Sequence, residues 1–180
     1  MAGFWGNAVY RRLDPAVPQR MVEIGVFDGQ NSGWLLARCP RLTLLMVDQW
    51  RAYDDSSQPD TVHNPGKWDR VRRMALARTD FADARRIVLH LTSLEAAAKI
   101  PDGSLDLAFV DANHSLPFVQ RDIAAYWPKV KRGGWLAGHD YERKEPRIYG
   151  VFQAVNEFAA ARKLPLELDE DATWFVRRPT

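Results

Sequence analysis

The sequence lacks the features that are typical of secreted and membrane-spanning proteins. Its 180 residues include a single cysteine, Cys39, so no disulfide can form within the chain. No apolar run approaches the ~18 residues that a membrane-spanning helix requires. The first residues carry no basic segment followed by an apolar one, which is the pattern of a secretion signal. We therefore expect a cytoplasmic protein with no membrane partner.

An excess of charge of one sign and low-complexity segments are also missing. The 25 Lys and Arg residues nearly balance the 23 Asp and Glu residues, and the net charge of +2 is too small to favour a nucleic-acid partner. Hydrophobic residues make up 46% of the chain and charged residues 27%, which is the balance of a folded globular protein. A chain of this length fits one domain, which we expect to span residues 1–180.

Short apolar runs alternate with helical patterns along the chain, an arrangement that is typical of a mostly parallel α/β sheet. Strands are predicted at 20–25, 42–48, 86–91, 105–111 and 134–139, and helices at 32–38, 67–81, 93–99, 117–130 and 149–163. The first four strands are almost continuously apolar, so we expect helices on both faces of the sheet. Two short runs, 166–168 and 173–176, flank an acidic turn and predict an antiparallel hairpin that completes a seven-stranded sheet.

Two features bear on substrates and partners. Residues 51–66 form a long irregular segment. Loops of this length often act as lids or substrate loops, although a plain insertion is an equally open interpretation. The exposed edge of the predicted hairpin and the short segment before the first strand are compatible with a homodimer.

Residues 21–32 run from the first strand through a loop into a helix, and they carry the first candidate site. Ligands of open parallel sheets bind at the carboxyl ends of the strands. Gly25 and Gly29 would allow a positive φ or a close backbone approach there. Asp48 ends the second strand about 20 residues further on, where a carboxylate can accept hydrogen bonds from ribose hydroxyls. The alternative is that the glycines only make a tight turn between strand and helix.

The residue types in this loop distinguish between two classes of cofactor. A dinucleotide places a pyrophosphate over the turn and is bound by a G-x-G-x-x-G sequence. Here Phe27 occupies the middle glycine position, and Glu23 and Asp28 add two carboxylates. Such a loop suits a cationic ligand without phosphate, such as S-adenosylmethionine. A small NAD-dependent oxidoreductase remains the alternative that these three residues disfavour.

The run Val-Glu-Ile-Gly-Val-Phe-Asp-Gly at 22–29 resembles the first motif of class I S-adenosylmethionine-dependent methyltransferases. It is most similar to metal-dependent small-molecule O-methyltransferases, both the caffeoyl-CoA type and cephalosporin-hydroxylase-like bacterial relatives, and the resemblance covers roughly residues 20–158. It implies a single-domain Rossmann-like fold and a set of cofactor contacts. These are Glu23, Gly25, Phe27, Gly29 and Asn31 at the amino-acid part, Asp48 at the ribose, Gln49 and Trp50 at the adenine, Thr92 and Ser93 at the adenine edge, and Asp111. We expect Trp50 to lie in an exposed loop.

A second group of polar residues follows the fourth and fifth strands, at the same edge of the sheet. Asp111 ends the fourth strand, and His139 and Asp140 follow the fifth. Two carboxylates and an imidazole are suitable ligands for a divalent cation, with Mg²⁺ or Mn²⁺ favoured. The resemblance implies that Asp111 and Asp140 bind the ion that holds the acceptor hydroxyl. Tyr141 replaces the Asn of the caffeoyl-CoA type and His139 replaces the Glu of the other type, so the third ligand stays open.

His114, three residues after Asp111, is the best candidate for a general base because the ordinary pKa of histidine lies near neutrality. The predicted function is methyl transfer to a hydroxyl of a small molecule, assisted by a divalent cation. The alternatives are a module that binds S-adenosylmethionine without turnover, and a structural role in which His139 is a core histidine and Asp140 caps a turn. The identity of the acceptor, and whether oxygen or nitrogen receives the methyl group, stay open.

Overall fold

The computed structural model describes residues 5–52, 65–142 and 149–180. Residues 53–64 of the irregular segment predicted at 51–66 lie outside the described residues, so its interpretation as a lid or as a plain insertion stays a prediction. The strands are β1 (Gln19–Ile24), β2 (Leu42–Val47), β3 (Arg86–Leu89), β4 (Leu105–Val110), β5 (Val130–Gly138), β6 (Leu166–Asp169) and β7 (Thr173–Arg177). The helices are α1 (Gly6–Tyr10), α2 (Gln30–Arg38), α3 (Pro65–Thr79), α4 (Ser93–Ala97), α5 (Leu116–Tyr126) and α6 (Tyr149–Arg162), with 3₁₀ turns at Asp80–Arg85 and Trp127–Lys129.

The strands form one seven-stranded sheet in the order β3-β2-β1-β4-β5-β7-β6. All neighbouring strands are parallel except β7, which is antiparallel to both β5 and β6. This arrangement confirms the predicted fold, including the C-terminal hairpin. Strands β2 and β3 lie on one side of β1, and β4 to β7 lie on the other, so the strand order reverses between β1 and β4. Ligands of α/β sheets bind at the carboxyl ends of the strands at such a switch point.

Two apolar cores lie on opposite faces of the sheet, because successive residues of a strand point to opposite sides. Val22 and Ile24 of β1 contribute to the core beneath α4, α5 and α6. Met21 contributes to the core beneath α1, α2 and α3. Among the described residues, no helix is long and apolar enough to span a membrane.

The boundary between α5 and β5 differs from the prediction. The helix was expected to run to Val130, but α5 ends at Tyr126 and a short 3₁₀ turn follows, with Val130 already in β5. Pro128 lies in that turn, and a proline lacks the backbone N–H that an α-helix requires and clashes with the preceding turn.

Candidate cofactor and metal site

Gly25 and Gly29 shape the turn after β1, and the surrounding protein requires both of them. Gly25 has a φ of +93°, and a Cβ at this position would lie 2.0 Å from the carbonyl oxygen of Asp111. Gly29 precedes the first turn of α2 with a φ of +76°, and its Cβ would lie 2.7 Å from the Cα of Ala75 in α3. Both residues therefore allow close packing of the protein on itself. Gly25 also lines the cavity described below.

Asp48 links this turn to the end of β2. Its two carboxylate oxygens accept hydrogen bonds from the backbone N–H groups of Phe27, at 2.9 Å, and Trp50, at 2.7 Å. Burial raises the pKa of the Asp48 carboxyl, whereas these backbone hydrogen bonds lower it. Each carboxylate oxygen has a second lone pair, so Asp48 can still accept hydrogen bonds from a ligand.

The expectation that Trp50 lies exposed is wrong. Only 4% of its surface is accessible, and its indole Nε1 donates a hydrogen bond to the carbonyl oxygen of Phe27 at 2.8 Å. Trp50 has a φ of +38°, and the hydrogen bond from its own N–H to Asp48 helps to turn the chain there. The ring belongs to the core beneath α1–α3 and supports the loop from inside, whereas the side chain of Phe27 is 42% exposed.

Glu23 is a buried carboxylate directly before the turn. It is 1% exposed, and the hydroxyl of Ser32 at the start of α2 donates a hydrogen bond to it. Burial raises the pKa of Glu23 well above its usual range, and the negative charges of Asp111 and Asp48 raise it further. A positive group placed among these carboxylates would be stabilised, so the site fits a cationic ligand. Asp28 contributes less than expected to this charge, because Arg78 forms an ion pair with it.

A cavity of about 220 Å³ opens at the ends of β1, β2 and β4, on the face covered by α4 and α5. Its wall contains five of the predicted cofactor contacts: Gly25, Asp48, Gln49, Thr92 and Ser93. The wall does not include the other predicted contacts of the amino-acid part and the adenine, which are Glu23, Phe27, Gly29, Asn31 and Trp50. It also does not include the predicted metal ligands and base, which are Asp111, His114, His139 and Asp140. The volume lies below the ~300 Å³ at the lower end of typical small-molecule sites. The cavity alone is therefore smaller than a typical cofactor site.

The sequence analysis missed the part of the cavity wall that comes from the β4–α5 segment. This part consists of Ala112, Asn113, Phe118, Arg121 and Asp122. Arg121 and Asp122 follow Phe118 by three and four residues, a spacing that places both on the same face of a helix as Phe118. That spacing was a usable signal once the helix after β4 had been predicted.

Thr92 and Ser93 have separate roles at the start of α4. Thr92 is the N-cap, and it forms a capping box with Glu95 in which each side chain bonds to the other residue's backbone N–H. The Ser93 hydroxyl instead donates a hydrogen bond to Asp122 at 2.5 Å. Burial raises the pKa of Asp122 to about 6, although the Ser93 hydrogen bond acts in the opposite direction. Asp122 is thus a buried carboxyl in the cavity wall.

Asp111, His139 and Asp140 converge beyond the ends of β4 and β5. Each offers one ligand atom, and these atoms lie within 4.8 Å of one another. His139 Nδ1 is 3.1 Å from Asp140 Oδ1 and 4.0 Å from Asp111 Oδ1. Asp140 has a φ of +59°, a conformation that turns the chain directly after β5. The structure therefore brings together the three residues that the sequence singled out as metal ligands.

His114 completes the cluster. Its Nε2 lies 2.8 Å from Asp140 Oδ2 and 3.7 Å from Asp111 Oδ1. Burial lowers the pKa of His114, but the nearby carboxylates of Asp111 and Asp140 outweigh burial and raise it to about 10. The same carboxylates raise the pKa of His139 to about 9, again against burial. In return, the two histidines lower the pKa of Asp140 below its usual range, although burial acts to raise it.

Two carboxylates and two imidazoles meet at one point of the sheet edge, and the carboxylates raise the pKa of both imidazoles. A cation that binds here would take the place of the proton on His139 Nδ1, because a histidine that ligates a metal has to be neutral at that nitrogen. One nitrogen and two carboxylate oxygens are a donor set that Mg²⁺ or Mn²⁺ accepts. In the arrangement described, His114 carries a proton at neutral pH, and its predicted role as a base stays a prediction.

The sequence analysis also missed Trp5 and Asp171 near this cluster. The indole of Trp5, directly before α1, donates a hydrogen bond to Asp111 Oδ2 at 2.8 Å. Asp171 Oδ2, in the turn between β6 and β7, lies 3.6 Å from His139 Nε2. Both residues are distant in sequence from those they approach, so spacing along the chain gave no signal.

A family model described as a methyltransferase domain matches residues 22–141, which run from the second half of β1 through β5 and include both candidate sites. The chain belongs to this family. Its sheet order, its glycine turn and the acidic strand ends are those of a class I S-adenosylmethionine-dependent methyltransferase, as the resemblance at residues 22–29 implied. No curated protein matches this methyltransferase significantly in sequence.

Several solved structures share the fold of this methyltransferase. The calicheamicin methyltransferase CalS11 superposes with a TM-score of 0.67 at 20% identity, covering 96% of this chain and 76% of CalS11. An O-methyltransferase family protein from Burkholderia thailandensis gives 0.63 at 16% identity, with 98% and 56% covered. MycE, a methyltransferase of the mycinamycin pathway solved in complex with Mg and SAH, gives 0.60 at 15% identity, with 96% and 49% covered.

Proposed function

We propose that this methyltransferase transfers a methyl group from S-adenosylmethionine to a hydroxyl of a small molecule, with a divalent cation held by Asp111, His139 and Asp140. The observation that carries the proposal is the convergence of these three ligands at the strand ends next to the cavity. Two proteins of similar structure support oxygen as the atom that receives the methyl group and a divalent cation at the site. CalS11 is described as a TDP-rhamnose 3'-O-methyltransferase, and MycE was solved with Mg and SAH.

The cavity would bind the ribose and adenine of the cofactor, and the turn after β1 would bind its amino-acid part. The cavity wall provides Asp48 for the ribose, and Gln49, Thr92 and Ser93 for the adenine. The buried Glu23 would attract the ammonium group, because its carboxylate lies among like charges that a cation would offset. Orientation of the methyl group is the main task of such an enzyme, and a closely packed turn is suited to it.

The acidic cluster would bind and orient the acceptor. When bound, S-adenosylmethionine supplies an activated methyl group, and a divalent cation lowers the pKa of a hydroxyl that it holds. The carbon–sulfur bond breaks as the carbon–oxygen bond forms, and the hydroxyl proton has to leave to a base. His114 lies against both Asp111 and Asp140, and it could serve as that base once a bound cation offsets the carboxylates that raise its pKa.

Calorimetry with S-adenosylhomocysteine and Mn²⁺, followed by an acceptor screen with and without EDTA, tests this proposal. The screen should contain sugars, catechols, polyketides and amines, so that transfer to nitrogen is also detected. We expect binding of both ligands, and hydroxyl methylation that EDTA abolishes. Asp140→Asn should weaken Mn²⁺ binding and slow methylation. Asp102→Asn, which changes an exposed aspartate paired with Lys129, should leave both unchanged.

Three outcomes would each contradict a different part of the proposal. A folded protein that does not bind S-adenosylhomocysteine would contradict the cofactor site. Full activity in EDTA would contradict the role of the cation. Binding of both ligands without turnover on any acceptor would favour a module that binds the cofactor without catalysis.

A further inference from the structure

Trp5 connects the N-terminal segment to the acidic cluster through one buried hydrogen bond. Its indole is 1% exposed and stacks on Phe109 of β4, with ring centroids 3.7 Å apart and planes inclined by 25°. The indole Nε1 donates to Asp111 Oδ2 at 2.8 Å. A buried indole N–H needs an acceptor, because an unsatisfied donor in the core costs about 1–3 kcal/mol. The stacked ring and this hydrogen bond therefore fix one oxygen of Asp111.

The other oxygen of Asp111 faces the cluster. Oδ1 lies 4.0 Å from His139 Nδ1 and 3.7 Å from His114 Nε2. The backbone of Asp111 is held as well, since its N–H donates to the carbonyl of Ile24 at 2.8 Å and its own carbonyl lies against Gly25. The hydrogen bond from Trp5 thus sets the rotation of the Asp111 carboxylate about its Cβ–Cγ bond.

We propose that Trp5 is a positioning residue for the metal centre, which holds Asp111 Oδ2 so that Oδ1 is presented to the ion. This inference rests on the proposed function. Residues that donate hydrogen bonds to metal ligands typically contribute ~10–100-fold to the metal affinity. Trp5 would act in this way from outside the strands that carry the ligands, so the segment before α1 becomes part of the metal centre.

A purely structural role for Trp5 is the competing explanation, and a second buried tryptophan separates the two. Trp174 of β7 is fully buried in the opposite core, and its indole Nε1 has no hydrogen-bond partner among the described residues. Trp5→Phe removes ring volume and a hydrogen bond to Asp111, whereas Trp174→Phe removes ring volume next to Gly138, which precedes His139, and no hydrogen bond. Loss of packing affects both variants, and loss of positioning affects only the first.

Titration of Mn²⁺ into the protein without acceptor, followed by electron paramagnetic resonance of free Mn²⁺, measures the affinity directly. We expect Trp5→Phe to weaken Mn²⁺ binding about tenfold or more and to leave the affinity for S-adenosylhomocysteine within about threefold. Trp174→Phe should leave the Mn²⁺ affinity close to that of the wild type. Equal Mn²⁺ affinity of the wild type and a folded Trp5→Phe variant would overturn the inference and leave the proposed function intact. Absence of Mn²⁺ binding in the wild type would overturn both.

A measurement on the wild-type protein covers the case in which Trp5→Phe does not fold. The indole N–H resonance of Trp5 can be assigned through its contact with the Phe109 ring. Saturation with Mg²⁺ should shift this resonance, because the carboxylate that accepts its hydrogen bond also binds the ion. The indole resonance of Trp174 should shift less. An unchanged Trp5 resonance under saturating Mg²⁺ would contradict the positioning role.

Discussion

Substitution of Gly25 by alanine tests whether the contact between the β1 turn and Asp111 limits the stability of the fold. A non-glycine residue in the left-handed region costs about 1–2 kcal/mol. The new Cβ would also lie 2.0 Å from the Asp111 carbonyl oxygen, and overpacking of this kind adds about 1–3 kcal/mol. We therefore expect Gly25→Ala to lower the free energy of unfolding by about 2–5 kcal/mol, a large share of the ~5–15 kcal/mol of a typical domain.

Gly103 provides a matched control for the backbone contribution. It has a φ of +63°, and a Cβ there would meet no atom within 4 Å, so Gly103→Ala should cost only the left-handed penalty of about 1–2 kcal/mol. Urea unfolding followed by tryptophan fluorescence measures both variants under the same conditions. The reasoning is refuted if Gly25→Ala is no less stable than Gly103→Ala, because steric overlap would then contribute nothing.

Three further predictions concern the cavity and the turn. For Asp122, the folded-state pKa of about 6 lies above the ordinary 3.8, so the wild type loses stability as the pH rises between these values. Relative to the wild type, Asp122→Asn should gain about 2 kcal/mol between pH 4 and pH 7 in urea unfolding, and an unchanged difference would contradict the raised pKa. The pKa of Glu23 is also raised, so Glu23→Gln should gain stability relative to the wild type as the pH rises. Calorimetry should show that this variant binds S-adenosylhomocysteine about tenfold more weakly, a loss of ~1.4 kcal/mol. Equal affinity would exclude a role for Glu23 at the ammonium group. Thr92→Ala removes the cap of α4 and should cost about 1 kcal/mol in the same unfolding assay, whereas no loss would mean that the capping box contributes nothing.

The sequence predicted the sheet well because its central strands β1, β2 and β4 are buried on both faces. Continuous apolar runs with glycine, proline and acidic residues at their ends leave few alternatives to a parallel sheet. The two short runs around the acidic turn likewise predicted the hairpin. Gly25, Asp48, Thr92 and Ser93 could be placed at the cavity because the carboxyl ends of parallel strands share one edge of the sheet.

The errors and omissions arose where side-chain contacts overrule the local pattern. Trp50 follows a strand end, where exposure is the usual outcome, but hydrogen bonds to Asp48 and Phe27 turn it into the core. The contact between Trp5 and Asp111 joins residues 106 positions apart, and no periodicity encodes such a pair. Asp122 lies in a helix whose existence was predicted, but its partner Ser93 belongs to another element, so its raised pKa was not visible in the sequence.

The close contact of Gly25 with the Asp111 carbonyl has a consequence for how the two ligands interact thermodynamically. The turn after β1 and the backbone of the candidate metal ligand Asp111 leave no room for a methyl group between them, so a shift of the turn towards Asp111 would displace it. If cofactor binding shifts the turn, the position of Asp111 changes as well, and the free energy of metal binding changes with it. Such coupling is reciprocal, so a metal would change the cofactor affinity by the same factor by which the cofactor changes the metal affinity.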